Sequence, residues 1–520
     1  MNEATFYYAG LPSAPVLVAR TSTAPWRAPI NPEAYIRRKE LRPVGNHAIV
    51  EVWEDNLAFK IHALLNSMNV MWTSTDVVRI GYTDELALSS APPPPVILWI
   101  GVMPKSLSAD DEEGDIVNVD VEIRDSVVTR SAGPKLLSYT HPFDPTDDIR
   151  EPLTTALGIP ISTQSTPHCE GTGGFFITEG PGRNAKRLLL VTVRHVVFTP
   201  DKNKNEHFEY KNDNHQHRHN ITLFGDEGFT NYLESIQAEI FVQRCMVERH
   251  EERIKMVEGK NDPAANRERE DAQFMLTKTK RTVEELNVFY QDVSSQWATQ
   301  ESRVLGHVIL SPPINVNVGT EGFTEDWAVI EVDASKVDSS NFEGNFIDLG
   351  KDILSHQFIR MMSSHPRNSH SSMFPKSRIL KLKGTIPDEE LRHPTTTFDQ
   401  NDSDPCLIVL KRGSATGLTI GRANNIMSYV RYYSAHDNGS TSKEWPILPL
   451  DSKSGPFSNK GDSGSVIVDG RGRVGGLLTS GTTGNTSDLD ITYATPINFL
   501  LRRIQEKGLY KPNINPVLAV

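Results

Sequence analysis

From about residue 155 onward the chain is a succession of short apolar runs cut by Gly, Asn, Asp and Pro, and that texture is broken only once. Short runs bounded by turn formers predict the strands of a β barrel or sandwich. The break runs from Phe229 to about Arg303 and has helical spacing, in two arms separated by EGKNDPAAN. In the first arm Leu233, Ile236, Ile240, Val247 and Ile254 recur at heptad-like intervals. In the second, Ala272, Leu276, Val283, Leu286, Tyr290, Val293 and Trp297 fall three, four or seven apart. Two amphipathic arms around a turn predict an antiparallel helical hairpin inserted into a β domain. The β texture resumes at GHVILSPP, and PINFLLRRIQEKG predicts a closing helix stopped by glycine.

The first 154 residues read differently. Residues 1–30 are rich in Pro, Ala, Ser and Thr and predict a poorly ordered start. Residues 31–154 predict an α/β domain of unassigned role. In EDNLAFKIHALLNSM, Leu57, Ile61, Leu64 and Leu65 share one helical face. VILWIGVM and VNVDVEIRDSVV read as strands, and SSAPPPP and SADDEEGD as loops. Residues 511–520 form a tail.

Composition excludes several function classes. With 520 residues and a formal net charge of −12, neither nucleic acid nor an anionic membrane surface suits as the main partner. No apolar run approaches the roughly 18 residues of a membrane span. The start MNEATFYYAG has an early acid and no apolar core, so no secretory signal is expected. Cys169, Cys245 and Cys406 are too few and too scattered for a disulfide framework or metal cluster, and they read as buried structural thiols. A reducing compartment, cytoplasm or nucleus, is the expectation. In HQHRH, His215, His217 and His219 could sit on one side of an extended segment. No acidic or thiol ligand is supplied, so a solvated loop is expected and no metal or cofactor. SHPRNSHSS (364–372) reads as a turn, and VERHEERIK as a solvated helix face.

Three segments carry the chemistry. GTGGFFITEGPGRNAKRLLLVTVRHVVF reads as two strands around a glycine-bearing hairpin, the second ending at His195. FTEDWAVIEVD puts Asp326 just before an apolar strand. NKGDSGSVIV sets Ser463 in a glycine turn. Each has a bland alternative: a packed histidine, a turn carboxylate, a hairpin serine. Together, in the order His195, Asp326, Ser463, they offer a base, a carboxylate to orient it, and a nucleophile. Serine is a poor nucleophile near neutrality, so a base must take its proton; an imidazole suits that role. The turn could aim the amides of Gly461 and Ser463 at one point, an oxyanion hole.

In these segments the chain resembles the trypsin-like (chymotrypsin-fold) serine proteases. TVRHVV is similar to the strand carrying their histidine, DWAVIEV to that carrying their aspartate, and GDSGS to their nucleophile turn. GTGGFF resembles the first strand of disulfide-free members such as the high-temperature-requirement proteases. KRGSATGLTIG resembles a signature opening the second barrel of bacterial and fungal members, and ITYATPI their last strand. The pattern is also similar to fungal intracellular proteins carrying such a domain. The resemblance covers about 155–505 apart from the insertion. It implies a mainly β fold: a double six-stranded β-barrel domain over 155–510, interrupted by the 229–303 hairpin. It also implies a serine endopeptidase acting on protein or peptide substrates through an acyl-enzyme.

It further implies that Phe457, six residues before Ser463, sits at the base of the specificity pocket, with Thr479, Ser480 and Gly481 as its wall. With no carboxylate at 457, small or apolar residues are expected before the cleaved bond. Val196 replaces a disulfide cysteine of secreted members. No cleavable Ile-Val-Gly-Gly lies upstream, which puts pairing of Asp462 with a freed N-terminus in doubt. The hairpin is a possible site for a protein partner, or a lid. Two alternatives stand beside the protease: a silent protease-fold binding protein that holds a partner on the hairpin, and a protein that cleaves only itself.

Overall fold

In strand Leu407–Gly413, Leu407 and Val409 face one apolar cluster and Ile408 and Leu410 another, so a single strand is shared by two cores. A pleated strand alternates its side chains, and here both faces are covered. The computed structural model describes the chain except residues 1–2, 12–14, 27–36, 69, 83–92, 104–118, 127–133, 141–142, 181–186, 212–215, 352, 363–373, 395–405, 435–436, 485–487 and 519–520. The loops SHPRNSHSS and SADDEEGD both lie outside the described residues. Two compact units emerge, Met1–Ser131 and Ala132–Val520. The protein is mainly β, and among the described residues no helix is long and apolar enough to cross a membrane.

In the larger unit, one antiparallel sheet runs in the order Pro512–Asn513, Phe175–Glu179, Leu189–Thr192, Ala328–Val332, Val304–Ser311, Asn220–Leu223, Ile159–Thr163 and Thr166–Gly173. A second sheet orders Asp437–Pro449, Gly417–Ala423, Leu407–Gly413, Val466–Asp469, Val474–Thr483 and Leu489–Pro496. The last of these pairs back onto the first, closing a ring of six strands. The ring encloses Val409, Trp445, Ile447, Phe457, Ile467, Leu478 and Ala494. Helix Ile497–Glu506 follows the ring and buries Ile497, Phe499, Leu500 and Ile504, with Gly508 at φ 120° just beyond it. Part of the tail joins the first sheet: Asn513 pairs with Thr178, and Ile514 is buried.

The hairpin is two helices, Asp226–Met256 and Pro263–Gln296. Asp262 caps the second by accepting the amides of Ala264 and Ala265 at 3.1 and 3.0 Å, with Pro263 in the first turn. None of the twelve residues of the two heptad stripes is exposed. The root of the hairpin belongs to the main core through Phe229, Tyr232, Ile236, Ile240, Leu286, Phe289, Val293 and Trp297. Arg303, itself buried, bonds Asp226 at 2.8 Å across the base. Cys245 is exposed on the first arm and Cys169 and Cys406 are half-buried, which corrects the expectation of buried thiols. An outward helical position needs no apolar contact, and Cys245 occupies one.

The smaller unit is a five-stranded sheet in the order Leu17–Arg20, Asp120–Asp125, Val96–Val102, Trp72–Tyr82 and Lys39–Arg42, parallel only between Val96–Val102 and Asp120–Asp125. Helix Ala58–Ser67 buries Ile61 and Leu65 against it, whereas Leu64 is exposed. Residues 17–20, inside the stretch read as poorly ordered, pair with the sheet. Just before them Tyr7 and Tyr8 are buried, donating to the two oxygens of Glu122 at 2.6 and 2.7 Å. Two aromatic anchors sharing one buried carboxylate outweigh the Pro- and Ser-rich composition around them.

Candidate active site

His195 is not on the strand. Strand Leu189–Thr192 ends three residues earlier, and His195 sits on a single helical turn, Arg194–Val197. Arg194 turns the chain there: its guanidinium is buried and donates to the Ser311 carbonyl and hydroxyl at 3.2 and 2.9 Å and to the Glu206 carbonyl at 2.7 Å. Asp326 lies between the short strand Phe323–Glu325 and Ala328–Val332, which pairs with Leu189–Thr192, Ala328 opposite Thr192. That register brings the two together. The Asp326 carboxylate accepts from the His195 amide at 3.1 Å and lies 2.6 Å from His195 Nδ1. The Asp326 side chain is 8% exposed and that of His195 28%. Burial works to lower the imidazole pKa, but the charge of Asp326 and the hydrogen bond to it outweigh burial, so the net shift is upward. With Nδ1 donating to Asp326, Nε2 remains free to accept a proton.

Ser463 is half-buried in a turn tied to the strands Thr166–Gly173 and Val474–Thr483. Its carbonyl accepts the Thr172 amide at 2.8 Å, and the Gly464 amide donates to Leu478 at 2.8 Å. Gly464 has φ 94°, and a Cβ there would collide with the Thr172 carbonyl and the Thr192 hydroxyl. The turn at Ser463 therefore packs against Thr192, in the strand that leads to His195. The Thr192 hydroxyl also bonds the Thr172 carbonyl at 2.8 Å. The Ser463 hydroxyl has no hydrogen-bond partner among the described residues. Gly461 has φ 100°, and its carbonyl is turned inward to accept Thr172 Oγ1 at 2.8 Å and Ser414 Oγ at 2.7 Å. Among the described residues the amides of Gly461 and Ser463 donate to no protein acceptor.

Sequence reasoning missed Lys411. Alternation from Leu407 and Val409 turns it into the ring, where an ammonium needs an anion. It finds Asp462: Nζ is 3.1 Å from Oδ2, and both side chains are fully buried. Lys411 also donates to Thr416 Oγ1 and to the Gly417 carbonyl at 3.1 Å. Asp462 accepts further from the amides of Ala415, Thr416 and Asn459 at 3.0, 3.2 and 2.9 Å, and from Thr416 Oγ1 at 2.6 Å. Burial depresses the Lys411 pKa to about 8, with the pull of Asp462 opposing it. A single lysine at an inward position of LIVLKRG was the available signal, but its partner is 51 residues away in sequence.

Phe457 departs from its expected place. Its ring lies in the core of the ring of strands, 2.6 Å from where a Cβ on Gly421 would sit, and its carbonyl accepts Thr419 Oγ1 at 2.6 Å. A large apolar ring gains more from that core than from a solvated pocket. Next to it Ser458 Oγ lies 2.6 Å from Thr492 Oγ1, both buried. Thr479, Ser480 and Gly481 follow the part of Val474–Thr483 that pairs with Val466–Asp469. They pair on one side with Leu489–Pro496, and among the described residues no strand covers their other side. Of the HQHRH histidines, His215 lies outside the described residues and His217 is exposed. His219 holds Nε2 2.6 Å from the Val197 carbonyl and stacks on Phe198.

No family model and no curated protein matches the chain. Several solved structures are similar to it. A glutamic acid specific serine protease matches at 11% identity over 68% of this chain and 98% of its own, with a TM-score of 0.30. An inactive form of Rv3671c from M. tuberculosis matches at 10% identity over 72% and 97%, TM-score 0.24. The HtrA-type protease AlgW, bound to a tripeptide, matches at 11% over 40% and 49%, TM-score 0.17. All three superpose loosely.

Proposed function

We propose that this chain is a serine endopeptidase of the trypsin-like kind, its two β sheets forming the two barrels of a chymotrypsin-like fold over about 155–510. The observation that carries this reading is the 2.6 Å contact of His195 Nδ1 with a buried Asp326, beside a serine turn bonded to Thr172, whose carbonyl accepts the Thr192 hydroxyl of the strand that leads to the histidine. In the reaction, Ser463 Oγ attacks the peptide carbonyl carbon as its proton passes to His195 Nε2. The oxyanion so formed accepts the unpartnered amides of Gly461 and Ser463, worth about 3 kcal/mol of barrier. His195 then gives the proton to the leaving amine, the C–N bond breaks, and an ester to Ser463 remains. Water, deprotonated by the same imidazole, attacks the ester carbon; the bond to Ser463 Oγ breaks, the acid leaves, and the imidazolium returns its proton to Oγ. Asp326 holds the tautomer and stabilises the imidazolium throughout. The uncovered side of Thr479–Gly481 suits an extended peptide added as one more strand.

Fluorophosphonate labelling, with Ser463→Ala as control, tests the proposal. Labelling confined to Ser463 supports an enzyme. An unlabelled wild-type protein would favour the silent binding protein, for which the partnerless Ser463 hydroxyl is the supporting observation. A peptide-library digest separates general cleavage from self-cleavage.

A further inference from the structure

Glu444 has no part in the chemistry above, yet it is fully buried one strand away from the segment that presents Asp326. Its Oε1 accepts hydrogen bonds from Thr324 Oγ1 and, at 2.6 Å, from Ser442 Oγ. Its Oε2 is buried with no partner among the described residues. Thr324 belongs to Phe323–Glu325, which runs directly into Asp326, and its carbonyl is held by Thr495 Oγ1 at 3.1 Å. Phe323 pairs in parallel with Lys443, so the strand that runs into Asp326 lies alongside the strand bearing Glu444.

We propose that Glu444 is a positioning residue for the triad: through Thr324 it fixes the strand that presents Asp326, and its protonation state sets the charge felt by the Asp326–His195 pair. This rests on the reading of His195 as the base. An ionised carboxylate with a buried, unbonded oxygen is costly, so the cage favours the neutral acid. Burial pushes Glu444 up to about 7; the Ser442 and Thr324 hydroxyls oppose that shift, and the charge of Asp326 adds to it. The other chargeable neighbours do not cancel the effect. Tyr493, on the neighbouring strand, is itself pushed up by burial and by Glu444. Lys443 holds its ammonium over Phe323, 5.3 Å from the ring centre. Glu325 faces away, paired with Arg503 at 2.9 Å. As pH rises through neutrality Glu444 gains a charge, and that charge makes His195 hold its proton more tightly.

The test uses the full chain with isotope-labelled histidine, following the His195 ring by NMR and Ser463 labelling by a fluorophosphonate across pH. Glu444→Gln keeps an acceptor for both hydroxyls but cannot ionise. It is expected to lower the His195 midpoint and the acid limb of labelling together, by about half a pH unit. Ser442→Ala, a smaller change, removes one donor from Oε1, keeps Glu444 neutral to higher pH and should shift both in the same direction. An unmoved His195 midpoint in both folded variants overturns the role of Glu444, whether or not Ser463 labels. If instead no protein labels, wild type included, while the midpoint still shifts, the positioning stands and the protease reading falls.

Discussion

Removing the Ser463 hydroxyl with Ser463→Ala is expected to abolish peptide hydrolysis, while Asp326→Asn should leave about one part in ten thousand of turnover. Asn in place of Asp326 would present the imidazole in the wrong tautomer without disturbing the turn. Comparing kcat for the two purified variants checks this, and full activity in Ser463→Ala would sink the assignment. Lys411 sets a second expectation. Lys411→Met should leave the buried Asp462 charge unpaired, which costs roughly 3–5 kcal/mol, and slow labelling at Ser463 even where the protein stays folded. The pH profile follows from the same residues. Activity needs neutral His195, whose pKa is raised, so the acid limb of kcat/KM should lie above the ordinary histidine value of about 6.5. It also needs charged Lys411, so activity should fall again as pH rises through about 8. A plateau extending well above pH 8 would argue against a role for the Lys411–Asp462 pair.

At the scale of elements, the hairpin divides into a root and an outer part. The root shares the main core, so replacing the whole of 231–300 by a linker would strip Tyr232, Ile236, Leu286 and Trp297 from it and is expected to unfold the domain. The outer part is held by pairs within the hairpin, such as Arg253–Glu268 at 2.7 Å and Lys280–Glu251 at 2.9 Å. Replacing 245–280 by a short Gly-Ser turn should therefore give a folded protein that labels at Ser463 and cleaves small peptides, with altered selectivity among protein substrates. Loss of labelling in that folded protein would make the outer hairpin part of the active-site architecture.

For the whole molecule, the division at Ser131 and Ala132 predicts that residues 132–520 fold alone and label at Ser463 at close to the full-length rate. His195, Asp326 and Ser463 all lie within that unit. Cooperative thermal unfolding together with labelling of the fragment would check this. A fragment that folds but does not label would give the first unit a direct part in assembling the site.

The sequence by itself determined what depends on neighbours along the chain. Heptad spacing settled the hairpin, because helical contacts recur every three or four residues. GDSGS marked a tight glycine turn at Ser463, because only glycine tolerates φ 94° against the Thr172 carbonyl. The segments around His195, Asp326 and Ser463 likewise stood out from the apolar runs and glycines beside each residue. Tertiary structure decided what depends on residues far apart. His195 meets Asp326 across 131 residues because two strands pair in one register. Lys411 finds Asp462, Thr324 ties Glu444 to the Asp326 strand, and the Phe457 ring turns into the core rather than the pocket. Each of these is set by which face of a strand meets which other strand, and no local propensity encodes that choice.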